Sequence, residues 1–161
     1  MVAIVMNDNT SDNAGVITIP PIIYLVGLLL GLLIHYFYPS RFLSESVSVW
    51  FGVLLTPVAI PIALFAMLAL KRAETPIDVL KPTTAIVTDG IYRLSRNPMY
   101  VSLAFVYLGI ACWVNSLWIL LLIVPVLVVV DQGIIKREEH YLEQKFGDEY
   151  LRYKSEVRRW I

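Results

Sequence analysis

The sequence predicts an all-α protein: a polytopic membrane bundle of about four transmembrane helices, the last two a hairpin, with a helical C-terminal segment outside the membrane. Three observations lead there. First, the 161 residues are 58% hydrophobic and only 16% charged, against roughly 45–50% and about 25% in soluble domains. A single domain of this length cannot hide so much apolar surface, so lipid must cover part of it. Second, four apolar runs stand out, from about Val16 to Tyr38, Val47 to Leu70, Met99 to Val114 and Leu117 to Ile135. Third, of the 13 Lys and Arg residues, all but Arg41 fall on one side of the arrangement these runs define.

Taken in order, Met1 to Gly15 is a polar tail that carries Asp8 and Asp12 and no Lys or Arg, so it lacks the positive start of a secretory leader. A single membrane domain is expected over 16–161. The first, second and fourth runs reach the ~20 residues that a helix needs to cross the hydrocarbon core, and the third is short. Backbone groups in lipid must be paired within the segment, which makes the runs helices rather than strands. Pro57, Pro61 and Pro125 fall inside them and each removes a helix hydrogen bond, so kinks are expected there. Asn115-Ser116 is a tight polar turn joining the third and fourth runs. Cys112 lies in an apolar stretch and reads as buried filler; being alone, it has no intrachain disulfide partner. The basic residues between runs two and three and after run four share one side, which the positive-inside rule makes cytoplasmic.

That side holds two polar segments. In the first, Pro82 to Tyr100, Asp89-Gly90 marks a turn, and Ser95-Arg96-Asn97-Pro98 leads into the third run. Pro98 suits the first turn of a helix, whose free N–H groups, with Arg96 beside them, suit an anion. The same residues read equally as a membrane anchor (Arg93, Arg96) and a simple helix cap (Asn97). The second segment, Lys136 to Arg159, continues run four as an amphipathic helix with a break expected at Gly147. Glu138 and Glu139 are adjacent, so one is expected to face the bundle and the other water. A carboxylate at the bundle mouth suits an amine or a ribose; a solvated helix face is the plainer alternative. His140 reads as exposed, and His35 as a packed residue near the opposite end of run one. The sequence contains no GxGxxG or Walker loop, no set with metal-ligand spacing and no hydrolase triad.

Together the two segments resemble the isoprenylcysteine carboxyl methyltransferase family, in its prokaryotic form, within a wider group that includes phospholipid methyltransferases. The matching elements are Gly90-Ile91-Tyr92, Arg96-Asn97-Pro98-Met99-Tyr100, Glu138-Glu139-His140-Tyr141-Leu142 and Phe146-Gly147-Asp148-Glu149-Tyr150-Leu151-Arg152-Tyr153, and the likeness covers about 72–161. It implies an integral membrane enzyme that uses S-adenosylmethionine and methylates a lipophilic acceptor drawn sideways from the bilayer, by resemblance the carboxyl of an isoprenylcysteine-like molecule. The implied partners are that acceptor and membrane lipids, with no nucleic acid. Thr84, Ala85, Ile86, Val87, Tyr92, Asn97, Pro98, Met99, Tyr100, Glu138 and Glu139 would bind the cofactor, and Glu138 and Arg96 would serve catalysis. No metal is implied. Two departures loosen the tie to prenylcysteine: Asn97 stands where those enzymes carry His, and Ile134 where they carry an Arg that holds the substrate carboxylate. The alternatives are a phospholipid or amine N-methyltransferase, an NADPH-dependent membrane reductase similar to the sterol reductases, and a non-catalytic membrane protein.

Overall fold

In the computed structural model residues 13–161 are described; the predicted polar tail therefore lies outside the described residues except for Asn13, Ala14 and Gly15. The four apolar runs form α1 (Pro20–Phe37), α2 (Glu45–Arg72), α3 (Pro98–Val114) and α4 (Leu117–Val130), and no strand occurs among the described residues. A π-helical turn, Asp131–Ile135, carries α4 into α5 (Lys136–Phe146). Gly147, at φ +53° and ψ −126°, then separates α5 from α6 (Asp148–Glu156), at the predicted break. Helix α2 runs on through Pro57 and Pro61, and α4 through Pro125. The α1, α2 and α4–α5 helices are long and apolar enough to cross a membrane, and α3 is a shorter apolar helix of 17 residues.

The chain is apolar on the outside and carries many of its small and polar side chains inside. Leu25, Leu29 and Leu33 on α1, Leu54 and Phe65 on α2, and Leu121, Val124 and Val128 on α4 are each about half exposed or more. In water that surface would be unstable; in lipid it costs nothing. Contacts between helices instead use small residues, because lipid tails offer no less apolar contact than leucine does and association depends on close packing. Helix α1 lies on α4 through Gly27 and Gly31, where a methyl group added at Gly31 would fall 2.9 Å from the Ile119 Cα. Helix α2 packs on α3, with Gly109 against Thr56 and the Ser48 hydroxyl donating to the Cys112 carbonyl. Cys112 is buried, as expected.

At the end of the bundle opposite the polar segments, Asn115 takes a left-handed conformation (φ +52°) that ends α3. Its side chain accepts from the Phe42 and Leu43 N–H groups and donates to the Leu43 carbonyl. Ser116 caps α4 by accepting from the Ile119 N–H. The predicted hairpin turn is thus also the buckle that fastens the α1–α2 loop. At the other end the starts of α1 and α3, the end of α2, and α5 and α6 come together around one cavity.

Candidate functional site

That cavity has a volume of about 640 Å³, within the range of sites for small molecules and cofactors. Ile19, Pro20 and Pro21 at the start of α1 contribute one edge, and the stretch 77–87 another; α3 contributes Pro98 to Tyr100, and α5 contributes Glu138, Glu139 and Leu142. Tyr92 enters from a 3₁₀ turn, Gly90–Arg93, whose first residue has φ +55°. Tyr150 and Tyr153 of α6 close the rear, and the Tyr153 hydroxyl donates to the Tyr92 carbonyl at 2.7 Å. Burial pushes the phenols of Tyr92, Tyr150 and Tyr153 well up, so they remain protonated donors.

Of the residues singled out in the sequence, Ala85, Ile86, Val87, Tyr92, Arg96, Asn97, Pro98, Met99, Tyr100, Glu138 and Glu139 all line this one cavity. Thr84 does not. It is exposed, shares a 2.8 Å hydrogen bond with Thr75 and donates to the Glu74 carbonyl at 2.9 Å, fastening the loop from behind. Asn97 makes no side-chain cap to α3; its amide donates to the Arg159 carbonyl at 2.9 Å. His140 is exposed and pairs with Gln144.

The two glutamates depart from expectation. Neither faces water. Glu138 accepts a 2.6 Å hydrogen bond from the Tyr100 hydroxyl and keeps part of its surface toward the cavity. Glu139 is only 5% exposed and is held by Arg96 at 3.0 Å and by Arg159 through two bonds of 2.9 and 2.7 Å. Each carboxylate finds partners within the protein, Glu138 at Tyr100 of α3 and Glu139 at Arg96 and Arg159, so both directions lead inward. Nor does Arg96 stand free beside the helix start: Glu139 neutralises it, while its Nε is buried without a partner.

The apolar span ends at Ile135, and the Glu138 carboxyl lies beyond it. Burial raises this group from the usual 4.5 to about 7; the Tyr100 hydrogen bond opposes the rise and the Glu139 charge adds to it. It therefore exchanges a proton near neutrality, where a general base is most effective. Charge in the lining is unbalanced. The one cation of the lining, Arg96, is paired with Glu139, which leaves Asp78 and Glu138 to favour a ligand carrying positive charge. Ile134 is fully buried in the core and away from the cavity lining.

The sequence reading overlooked Asp131 and Arg159, which pair at 3.0 Å, and Tyr24, whose hydroxyl donates to the Tyr100 carbonyl at 3.1 Å. An acidic residue at the end of an apolar run was a signal for the first of these. Nothing in the pattern distinguishes Arg159 from its basic neighbours.

Residues 47–149, more than half of the chain, match the family described as phospholipid methyltransferase. An uncharacterized protein of Haemophilus influenzae is 46% identical to this chain over 63 residues, which are 39% of this chain and all of that protein. No solved structure matches.

Proposed function

This chain belongs to the phospholipid methyltransferase family and is a membrane methyltransferase; from that premise we propose that its methyl donor is S-adenosylmethionine, bound in the 640 Å³ cavity, and that its acceptor is a lipophilic molecule reached from the bilayer. The observation that carries this reading is the lining itself. One cavity gathers three carboxylates, one guanidinium, three tyrosines beside Tyr100 and an apolar wall of Ala85, Ile86, Val87 and Met99. That set fits a molecule with a net positive charge, a flat ring and a small carboxylate. Glu138 would accept hydrogen bonds from the amine or ribose. Arg96, the one cation in the lining, would meet the carboxylate. Tyr92 and Tyr100 offer ring faces that suit a cation. The donor supplies an electrophilic methyl group on a sulfonium.

What the protein contributes is alignment, since displacement at a methyl group needs nucleophile and leaving group in line more than it needs acid–base help. An amine-bearing lipid is the acceptor this geometry favours. An ammonium must lose a proton before it attacks, and Glu138, with its carboxyl near 7, takes it. A carboxylate acceptor finds less here: Arg96, the one cation of the lining, would be engaged by the donor's carboxylate, and Ile134 brings no cation. The isoprenylcysteine-like acceptor remains the second reading, carried by the motif matches. The cavity end of the bundle, with all the basic residues but Arg41, is assigned to the cytoplasm.

The test is calorimetric titration of the detergent-solubilised protein with S-adenosylhomocysteine and, separately, NADPH, followed by methyl-transfer assays in vesicles containing an aminophospholipid or a prenylated carboxylic acid. Binding of the first ligand alone is expected, with product from the aminophospholipid. Binding of NADPH instead would replace the reading with a reductase. Binding of neither would leave a non-catalytic descendant of the family.

A further inference from the structure

Residues 157–161 follow α6 and return to the loop before α3. The Arg158 carbonyl accepts from the Arg96 N–H at 3.0 Å. The Arg159 carbonyl accepts from the Asn97 side-chain amide at 2.9 Å and from the Ser95 hydroxyl at 3.3 Å. Val157 and Trp160 pack against the two core clusters. The Arg159 side chain reaches the other way. Its Nε and Nη2 form a fork on both oxygens of Glu139, and its Nη1 lies 3.0 Å from Asp131 in the π turn.

A single residue therefore touches two walls of the cavity, α3's entry through its main chain and α5 through its side chain. The charges balance: Arg96, Arg159 and Lys154 against Asp131, Glu139 and Glu143. The hydrogen bonds to Glu139 hold the Arg159 guanidinium above its usual range, so its charge is permanent. Glu139 precedes nothing in the cavity's chemistry, but it is the neighbour of Glu138. Fixing Glu139 fixes the rotation of α5 about its axis, which is what aims Glu138 at the Tyr100 hydroxyl and the cavity.

We infer that Arg159 is a positioning residue, which locks the Glu138 wall of the cavity to the Asn97–Tyr100 wall and so sets the affinity for the methyl donor. The donor part of this rests on the function proposed above. Lysine cannot replace it fully, because an ammonium meets one oxygen where the guanidinium fork meets two.

The experiment compares Arg159→Ala, Arg159→Lys and Arg158→Ala with the wild-type protein in detergent. The last variant removes an equal charge from the same segment, and the Arg158 side chain is exposed. Two quantities are read: affinity for S-adenosylhomocysteine well below the unfolding temperature, and amide hydrogen exchange of the ligand-free protein. Arg159→Ala is expected to weaken binding on the order of tenfold or more, the cost of a misplaced binding group, with Arg159→Lys between it and wild type and Arg158→Ala unchanged. Exchange should quicken in 95–101 and 136–140 and stay the same in α1. If Arg159→Ala does not fold, the lysine variant carries both measurements. Lower thermal stability with wild-type affinity and unchanged exchange in those two stretches would reduce Arg159 to a structural role and overturn the inference. If the wild-type protein binds no S-adenosylhomocysteine, it is the function that fails; the exchange measurement then still decides whether Arg159 holds the two walls.

Discussion

Adjacent residues of an α-helix point about 100° apart, and in α5 this separates two carboxylates into different tasks. Glu139 takes the cations and is neutralised by them. Glu138 takes only the Tyr100 hydroxyl and remains available to the cavity. Replacing Glu138 with Gln keeps an acceptor for Tyr100 but removes the charge, and is expected to abolish methyl transfer and weaken S-adenosylhomocysteine binding at least tenfold by calorimetry, about the value of one charge-assisted hydrogen bond. The pH dependence has a definite sign. The folded carboxyl holds its proton to about 7, against 4.5 in the unfolded chain. The folded protein thus binds more protons between those values, and its stability falls as pH rises through that window. The unfolding midpoint of the ligand-free protein should decline from pH 4.5 to 7, and the decline should be smaller in Glu138→Gln. Affinity for a cationic ligand should move oppositely, rising as Glu138 ionises. A flat binding profile from pH 5 to 8 would remove Glu138 from the site. From the sequence, Glu138 could be singled out only through the resemblance. The adjacency rule alone sends one glutamate to water, because sequence does not tell how many sides of a surface helix are covered.

At the scale of elements, the helices were legible because length and apolarity are properties of a segment by itself. The runs in the sequence and α1 to α4 agree to within a few residues, and Gly147 marks the α5–α6 break because its backbone conformation favours glycine. How the helices pair was not legible. In a soluble bundle the apolar stripe identifies the buried face, but here both faces are apolar and lipid accepts either. What identifies the inner face is small residues, as at Gly27 and Gly31, four apart on α1. Gly31→Val would press into the Ile119 backbone and is expected to cost about 1–3 kcal/mol by overpacking, read as a lower unfolding midpoint in detergent. Asn115→Ala is expected to cost about 2–4 kcal/mol, since alanine strains the left-handed turn and leaves three hydrogen bonds unmade. Both substitutions lie at a distance from the cavity, so S-adenosylhomocysteine affinity measured below the midpoint should be preserved. If Gly31→Val were as stable as the wild type, the close approach of α1 to α4 would be wrong.

At the scale of the molecule, charge and cavity coincide. The end of the bundle where α3 begins and α5 leaves the apolar layer holds the cavity and all the basic residues except Arg41. On the function proposed above this coincidence has a physical reason: a charged donor would be admitted from water and a lipophilic acceptor from lipid, and the place open to both is the boundary at one end of the helices. The basic residues decide which end. The whole-chain arrangement was legible in outline because charge distribution is a global property that survives ignorance of packing. The convergence of 77–87, α3 and α5 on one volume was legible only through the family resemblance, since it depends on residues far apart in sequence, such as the Thr83 N–H donating to the Tyr141 hydroxyl. Sidedness can be read directly. Cys112 is buried and should not react with a water-borne maleimide, so single cysteines can be introduced at Ser46, in the first turn of α2 and away from the cavity, and at Ser155 in α6. Both positions are exposed. In intact cells an impermeant maleimide should label Ser46→Cys and leave Ser155→Cys unmodified until the membrane is opened. The reverse pattern would place the cavity outside the cytoplasm, away from any supply of S-adenosylmethionine, and the proposed donor could not stand.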